Sequence, residues 1–152
     1  MNNVLFVGFK GKNNASGVLV EQLSLNHLLL TNSFAGLRRD IDSVRNEYDC
    51  VVMFGVDKTL TDSVRIDKVA SFNGITKATA INLQSIKDKL ADGGVAAEIS
   101  EIPTAYLCNE AYWHMLEKSS GRAVFIHMPT MKHVDECFIG RMKKLFQGVI
   151  EL

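Results

Sequence analysis

The chain has 152 residues, 47% of them apolar, and seventeen basic side chains are balanced by seventeen acidic ones. That length suits one hydrophobic core, a single domain over 1–152, and the absence of net charge excludes long-range steering toward nucleic acid or an anionic membrane. Three cysteines without framework spacing, no basic leader and no run near eighteen apolar residues predict reduced thiols in a soluble, cytoplasmic protein.

Short apolar runs alternate with segments of helical periodicity, which predicts a βαβ succession. VLFVGF at 4–9 reads as the first strand, GKNNASG at 11–17 as a loop, and Val18, Val20 and Leu23 as a short helix. HLLLTNSF at 27–34 follows as a strand, and Leu37, Ile41, Val44 and Tyr48 recur at helical spacing. CVVMFGV at 50–56 is apolar throughout, as a central strand covered on both faces should be. KVASFNGITKATAIN holds one or two extended pieces. SIKDKLADGG is a helix closed by glycine, and VAAEISEIP a strand ended by Pro103. A helix from Ala105 to Lys118, a strand RAVFIHMP at 122–129 and a closing amphipathic helix from Val134 to Leu152 complete the chain. Such a chain forms a three-layer α/β/α sandwich on a mostly parallel central sheet.

Two residues of this pattern can carry chemistry. Cys108 lies where a strand hands over to a helix, and His127, nineteen residues on, lies at the exit of the next strand. Both therefore open onto the sheet edge where α/β folds place ligands. A thiol becomes nucleophilic as thiolate, which a helix N-terminus and a neighbouring imidazolium both favour, and the same first-turn N–H groups can hold an oxyanion. Free cysteine is also among the most buried residue types, so a lone Cys before an amphipathic helix is more often packing than chemistry. Cys50, opening a core strand, and Cys137, in the last helix, read as small apolar fillers, and His27 and His114 as edges of packed faces. His133 and Cys137 stand four apart on the predicted helix, but no further ligands at suitable spacing accompany them, so no metal is expected. The Gly-Lys pair at 11–12 lacks the phosphate-loop pattern, and no cofactor is expected.

The stretch TAYLCNEAYWHML resembles the nucleophile segment of the pyroglutamyl peptidase I (pyrrolidone-carboxylate peptidase) family, with Tyr106, Cys108 and Asn109 on its A-G-T-Y-V-C-N run. FIHMP resembles the F-I-H-[VI]-P run that carries that family's histidine. VLFVGF with NASGVLVEQL resembles its opening strand and helix entry, which places Asn14 and Ser16 on the motif, and RIDKVASFN resembles the segment of its acidic residue, here Asp67. The resemblance implies a cysteine exopeptidase that removes an N-terminal pyroglutamyl residue. Cys108, His127 and Asp67 would be catalytic, and Phe9, Asn14, Val56 and Leu107 would contact a small peptide or acyl-amide substrate, in a chain able to form homo-oligomers.

The departures from that pattern fall mainly on substrate recognition. Glutamate becomes Asp67, one methylene shorter; the P-F-G-G aromatic pair is reduced to Phe9; G-Q-A-G-G-R becomes GVDKTL, with Val56 at the glutamine position. The connection after RIDKVASFN is shorter, which predicts a more open site. The expected substrate is accordingly a pyroglutamyl or related acyl amide. The alternative is a catalytically degenerate relative that binds a small ligand or a protein through the same edge.

Overall fold

A computed structural model describes residues 3–147. In chain order these form β1 (Val4–Phe9), α1 (Ala15–Leu23), β2 (His27–Leu30), α2 (Phe34–Asp42), β3 (Cys50–Val56), β4 (Ser63–Asp67), β5 (Val69–Phe72) and β6 (Ile75–Ala78). There follow α3 (Leu83–Asp92), β7 (Ala96–Ser100), α4 (Tyr106–Lys118), β8 (Ala123–Met128), a 3-10 turn at Met131–His133 and α5 (Glu136–Phe146). One six-stranded sheet runs in the order β2-β1-β3-β8-β4-β7. Its pairings are parallel except between β8 and β4, so β4 and β7 run against the other strands.

Strand alternation sorts the core into two halves. Val52, Phe54, Val64, Ile66, Val124 and Ile126 face one way and pack with side chains of α1, α3 and α5. Val51, Met53, Ala123 and Phe125 face the other way, toward α2 and α4. The expected α/β/α sandwich on a mostly parallel sheet is thus present.

Three boundaries differ from the sequence expectation. The Gly-rich segment before Val18 is helix rather than loop from Ala15 onward. Its glycine serves close approach, since a Cβ on Gly17 would stand 2.4 Å from the Phe9 carbonyl oxygen and one on Gly8 2.6 Å from that of Ser16. The second helix begins at Phe34, capped by Ser33, and stops at Asp42, where the Ser43 hydroxyl donates to the Asp40 carbonyl. Val44 and Tyr48 pack against the core from beyond its end. Strand β4 is an addition. Its SVRID pattern buries only Val64 and Ile66 in the hydrophobic core and turns Ser63, Arg65 and Asp67 to the other face.

Two minor readings are corrected. Cys50 is buried, but Cys137 is exposed on α5 and fills nothing. His133 lies in the 3-10 turn before α5, so it does not share a helix with Cys137. Among the described residues no group of three or more His, Cys, Asp or Glu could hold a metal, and no helix is long and apolar enough to cross a membrane. The predicted extension of the last helix over 148–152 lies outside the described residues.

The segment 69–78 forms an antiparallel hairpin, β5 with β6, laid against α4. Asn109 holds it: its side-chain amide donates to the Ser71 carbonyl at 2.6 Å and accepts from the Ser71 N–H at 3.0 Å. The Trp113 indole N–H donates to the Ile75 carbonyl, and Phe72 packs on both Trp113 and His114. Asn109→Ala removes both amide bonds, at a cost of about 1–3 kcal/mol. The expected result is a melting temperature lower by roughly 2–12 °C, at about 2–4 °C per kcal/mol for a chain of this size. An unchanged melting curve would show that the hairpin is held by its aromatic contacts alone.

Candidate active site

The strands that meet at the sheet's midline carry the chemistry. Gly55 on β3 is paired with His127 on β8, and His127 is paired with Arg65 on β4. Gly55 shares its face with Val51 and Met53, and His127 with Ala123 and Phe125, so the whole row lies under α4. Asp67 is two residues along β4 from Arg65, on the same face and diagonal to His127.

His127 and Asp67 form a buried pair: Nε2 lies 2.7 Å from Oδ2, with side-chain exposures of 3% and 0%. A carboxylate only accepts, so Nε2 is the donor, and in the neutral ring Nδ1 is the nitrogen with the lone pair. That Nδ1 is buried and has no hydrogen-bond partner. The shorter acid reaches the histidine because β4 is hydrogen-bonded directly to β8. The other oxygen of Asp67 takes Arg65 Nε at 3.4 Å, and Arg65 Nη1 reaches Asp57 at 2.6 Å. Burial pulls the Asp57 carboxyl upward, but hydrogen bonds from Thr59 and Arg65 outweigh it and bring its pKa down to about 2.

Helix α4 supplies the thiol. Cys108 stands in its first turn, above Gly55, where a glycine Cβ would come within 2.9 Å of Sγ and 2.7 Å of the Phe125 ring. Glycine is therefore required at 55 for the sulfur to sit beside the histidine column. One turn further along the same helix face, the buried Tyr112 hydroxyl donates to the Asp67 carbonyl at 2.8 Å. The helix that carries Cys108 thereby fixes the backbone of Asp67. Unlike α1, α2, α3 and α5, which are capped by Asn14, Ser33, Asn82 and Asp135, α4 begins at Ala105 with no side-chain cap. Its first N–H groups remain available to a ligand. Tyr106, at φ 62, occupies the left-handed region and is 82% exposed, a strained arrangement two residues before the thiol.

These groups surround an open cleft of 510 Å³ lined by Val56, Asp57, Lys58, the run Thr104–Cys108 and His127. Of the residues expected to contact substrate, Val56 and Leu107 line this cleft. Phe9 is buried in the core on the α2 and α4 side. Asn14 is engaged as the cap of α1, accepting from the Ser16 N–H and hydroxyl. Neither is part of the cleft. The sequence reading overlooked Arg65, Asp57, Gly55 and Tyr112. The charged alternation of SVRID was the available signal for the first.

The thiol differs electrostatically from the activated form expected at a helix start. Burial pushes the Cys108 pKa up to about 12, the Asp67 and Asp57 carboxylates add to the rise, and Arg65 opposes it. The resting group is a neutral thiol. No hydrogen bond joins it to His127 Nδ1.

No protein-family model matches the sequence, and neither does any curated protein. Solved structures do. The pyrrolidone carboxyl peptidase from Thermococcus litoralis superposes with a TM-score of 0.77 at 17% identity, over 96% of this chain and 93% of that one. The pyroglutamyl peptidase I of Bacillus amyloliquefaciens gives 0.76 at 16% identity, over 97% and 96%. The chain has the pyrrolidone carboxyl peptidase fold. The pyrrolidone carboxyl peptidase from Thermus thermophilus extends the likeness, with a TM-score of 0.76 at 14% identity over 95% of this chain and 97% of the other. At such identities the pyrrolidone carboxyl peptidase architecture is what is shared, and the chemistry rests on the groups assembled at its sheet edge.

Proposed function

We propose that the cleft hydrolyses an N-terminal acyl amide, a pyroglutamyl amide or one of similar size, through Cys108. The observation that carries this reading is the ring of His127. One nitrogen is held by the buried Asp67, and the other is buried without a partner in a residue that lines the same cleft as Cys108. A histidine engaged only in packing has no need of a buried carboxylate to fix its tautomer.

In the proposed reaction His127 Nδ1 takes the thiol proton as Sγ bonds to the acyl carbon, and Asp67 holds the resulting imidazolium. The carbonyl oxygen gains charge beside the uncapped first turn of α4. The C–N bond then breaks as His127 returns the proton to the leaving amine, which gives a thioester. Water, deprotonated by the same nitrogen, attacks the thioester and releases the acid and the thiol. Because the free thiol is neutral, proton removal accompanies attack rather than preceding it. Val56 and Leu107 line the cleft and would contact the acyl group. One observation favours the alternative of a ligand-binding relative without turnover, namely the thiol held well above neutrality.

Arylamine release from a pyroglutamyl arylamide, measured beside the corresponding acetyl, prolyl and free aminoacyl arylamides, decides between them. Release from the pyroglutamyl compound, with the free aminoacyl compound inert, is the expected result. A folded protein that releases arylamine from none of the four would overturn the hydrolase reading.

A further inference from the structure

Toward the C-terminal end of α4, whose Lys118 is about 15 Å from Cys108 at 1.5 Å per residue, a second cavity opens beneath the sheet's other edge. Its volume is 310 Å³, within the size range of small-molecule sites. Leu5, Val51 and Met115 supply an apolar floor, and three cations, Arg45, Lys118 and Arg122, stand around it. Glu47 is the acidic side chain in the same lining, so the lining charges sum as three minus one, or +2.

The cations have little to engage them. Lys118 reaches the Asp42 carbonyl at 3.5 Å, the limit of a hydrogen bond, and offsets the negative end of the α4 dipole. Arg45 and Arg122 form neither an ion pair nor a side-chain hydrogen bond with another described residue. The backbone does not complete the site, because the N–H groups from Ser119 to Arg122 all bond to carbonyls of the α4 terminus and its turn.

Ser119 provides an independent observation. It lines the cavity, is 8% exposed, and its hydroxyl is buried with no hydrogen-bond partner. A buried hydroxyl without a partner destabilises a fold, so it is a place where a ligand acceptor is gained at little cost. That serine, in a lining that also holds two uncommitted guanidinium groups and an apolar floor, matches a ligand with an anionic head and an apolar body.

We propose that this cavity binds a phosphate monoester with a compact apolar body. The dianionic head balances the +2 lining, accepts from the planar forks of Arg45 and Arg122 and from the Ser119 hydroxyl, and leaves the body on Leu5, Val51 and Met115. The site is separate from the Cys108 cleft and requires nothing of the chemistry proposed there.

Calorimetric titration of the full chain with phenyl phosphate at low ionic strength tests the assignment, with inorganic phosphate and benzoate as comparators. Saturable binding is expected, at least tenfold tighter than either comparator, because benzoate lacks the second charge and inorganic phosphate lacks the body. Arg122→Ala and Arg45→Ala, both exposed, should each weaken it about tenfold or more, while Cys108→Ala leaves it unchanged. Ser119→Ala should weaken phenyl phosphate and raise the melting temperature of the ligand-free protein. No binding at millimolar phenyl phosphate, or binding equal in wild type and both arginine variants, would overturn the proposal. An affinity unaffected by Ser119→Ala would overturn it as well, because the hydroxyl is part of the proposed recognition of the head.

Discussion

Cys108→Ala should lower arylamine release by about 10⁴-fold or more, the loss that follows removal of a nucleophile from a catalytic unit. The fold should survive. Sγ is only partly enclosed and accepts no structural hydrogen bond, so the cost is about 1 kcal/mol, a few degrees in melting temperature. Residual activity near the wild-type level would dismiss Cys108 as nucleophile. The same pair of proteins tests the electrostatics. Iodoacetamide near pH 8 should label the exposed Cys137 before Cys108, and labelling of Cys108 should climb only as pH rises toward its pKa of about 12. The sign for stability follows: a thiol that titrates higher folded than unfolded contributes stability below pH 9.0 and loses it progressively up to about 12. Cys108→Ala should flatten that alkaline decline, leaving the parts due to the buried Cys50, whose pKa burial raises to about 11 with a smaller contribution from Asp49, and to the buried Tyr112 hydroxyl, which burial also pushes up.

Elements that are apolar on both faces were legible in the sequence. Strands at 4–9 and 50–56 have the bounds the hydrophobic runs indicate, because a strand covered by helices on both sides leaves no polar position to blur its ends. Strand β4 escaped notice for the opposite reason. Its Ser63, Arg65 and Asp67 face a polar site rather than a core, so the run has only two apolar residues, Val64 and Ile66, to mark it. A strand that builds a charged site is the one that periodicity describes least well.

The candidate site was partly legible for a similar reason. Cys108 and His127 occupy element boundaries, which local patterns locate. The partners that orient them act across strands: Arg65 faces His127 only through antiparallel pairing of β4 with β8, and Tyr112 reaches the Asp67 carbonyl only once α4 lies on the sheet. Phe9 and Asn14 illustrate the converse. Their positions by motif are near the opening strand and helix, yet one is enclosed by core packing and the other by capping, neither of which a motif conveys.

Asp67→Asn gives the other large effect, and it separates catalysis from thiol reactivity. The carboxylate accepts from His127 Nε2 with one oxygen and from Arg65 with the other. An amide has one acceptor oxygen, so it can serve only one of them, and its NH₂ opposes the other donor. If the amide turns its NH₂ toward Nε2, the proton moves to Nδ1 and the base is lost; if it does not, the imidazolium loses its counter-charge. Either way turnover should fall by about 10²–10⁴-fold. Loss of one charged hydrogen bond in a buried pair should also lower the melting temperature by several degrees, at about 1–3 kcal/mol. Labelling of Cys108 by iodoacetamide should change in the opposite direction. After burial, Asp67 is the largest influence raising that thiol, and its removal leaves the lowering effect of Arg65 less opposed. Slower turnover with faster alkylation is the expected pair of results. Turnover and alkylation falling together would contradict the electrostatic role of Asp67, and faster labelling shared equally by the buried Cys50 would mark a loosened fold rather than the loss of a charge beside Cys108.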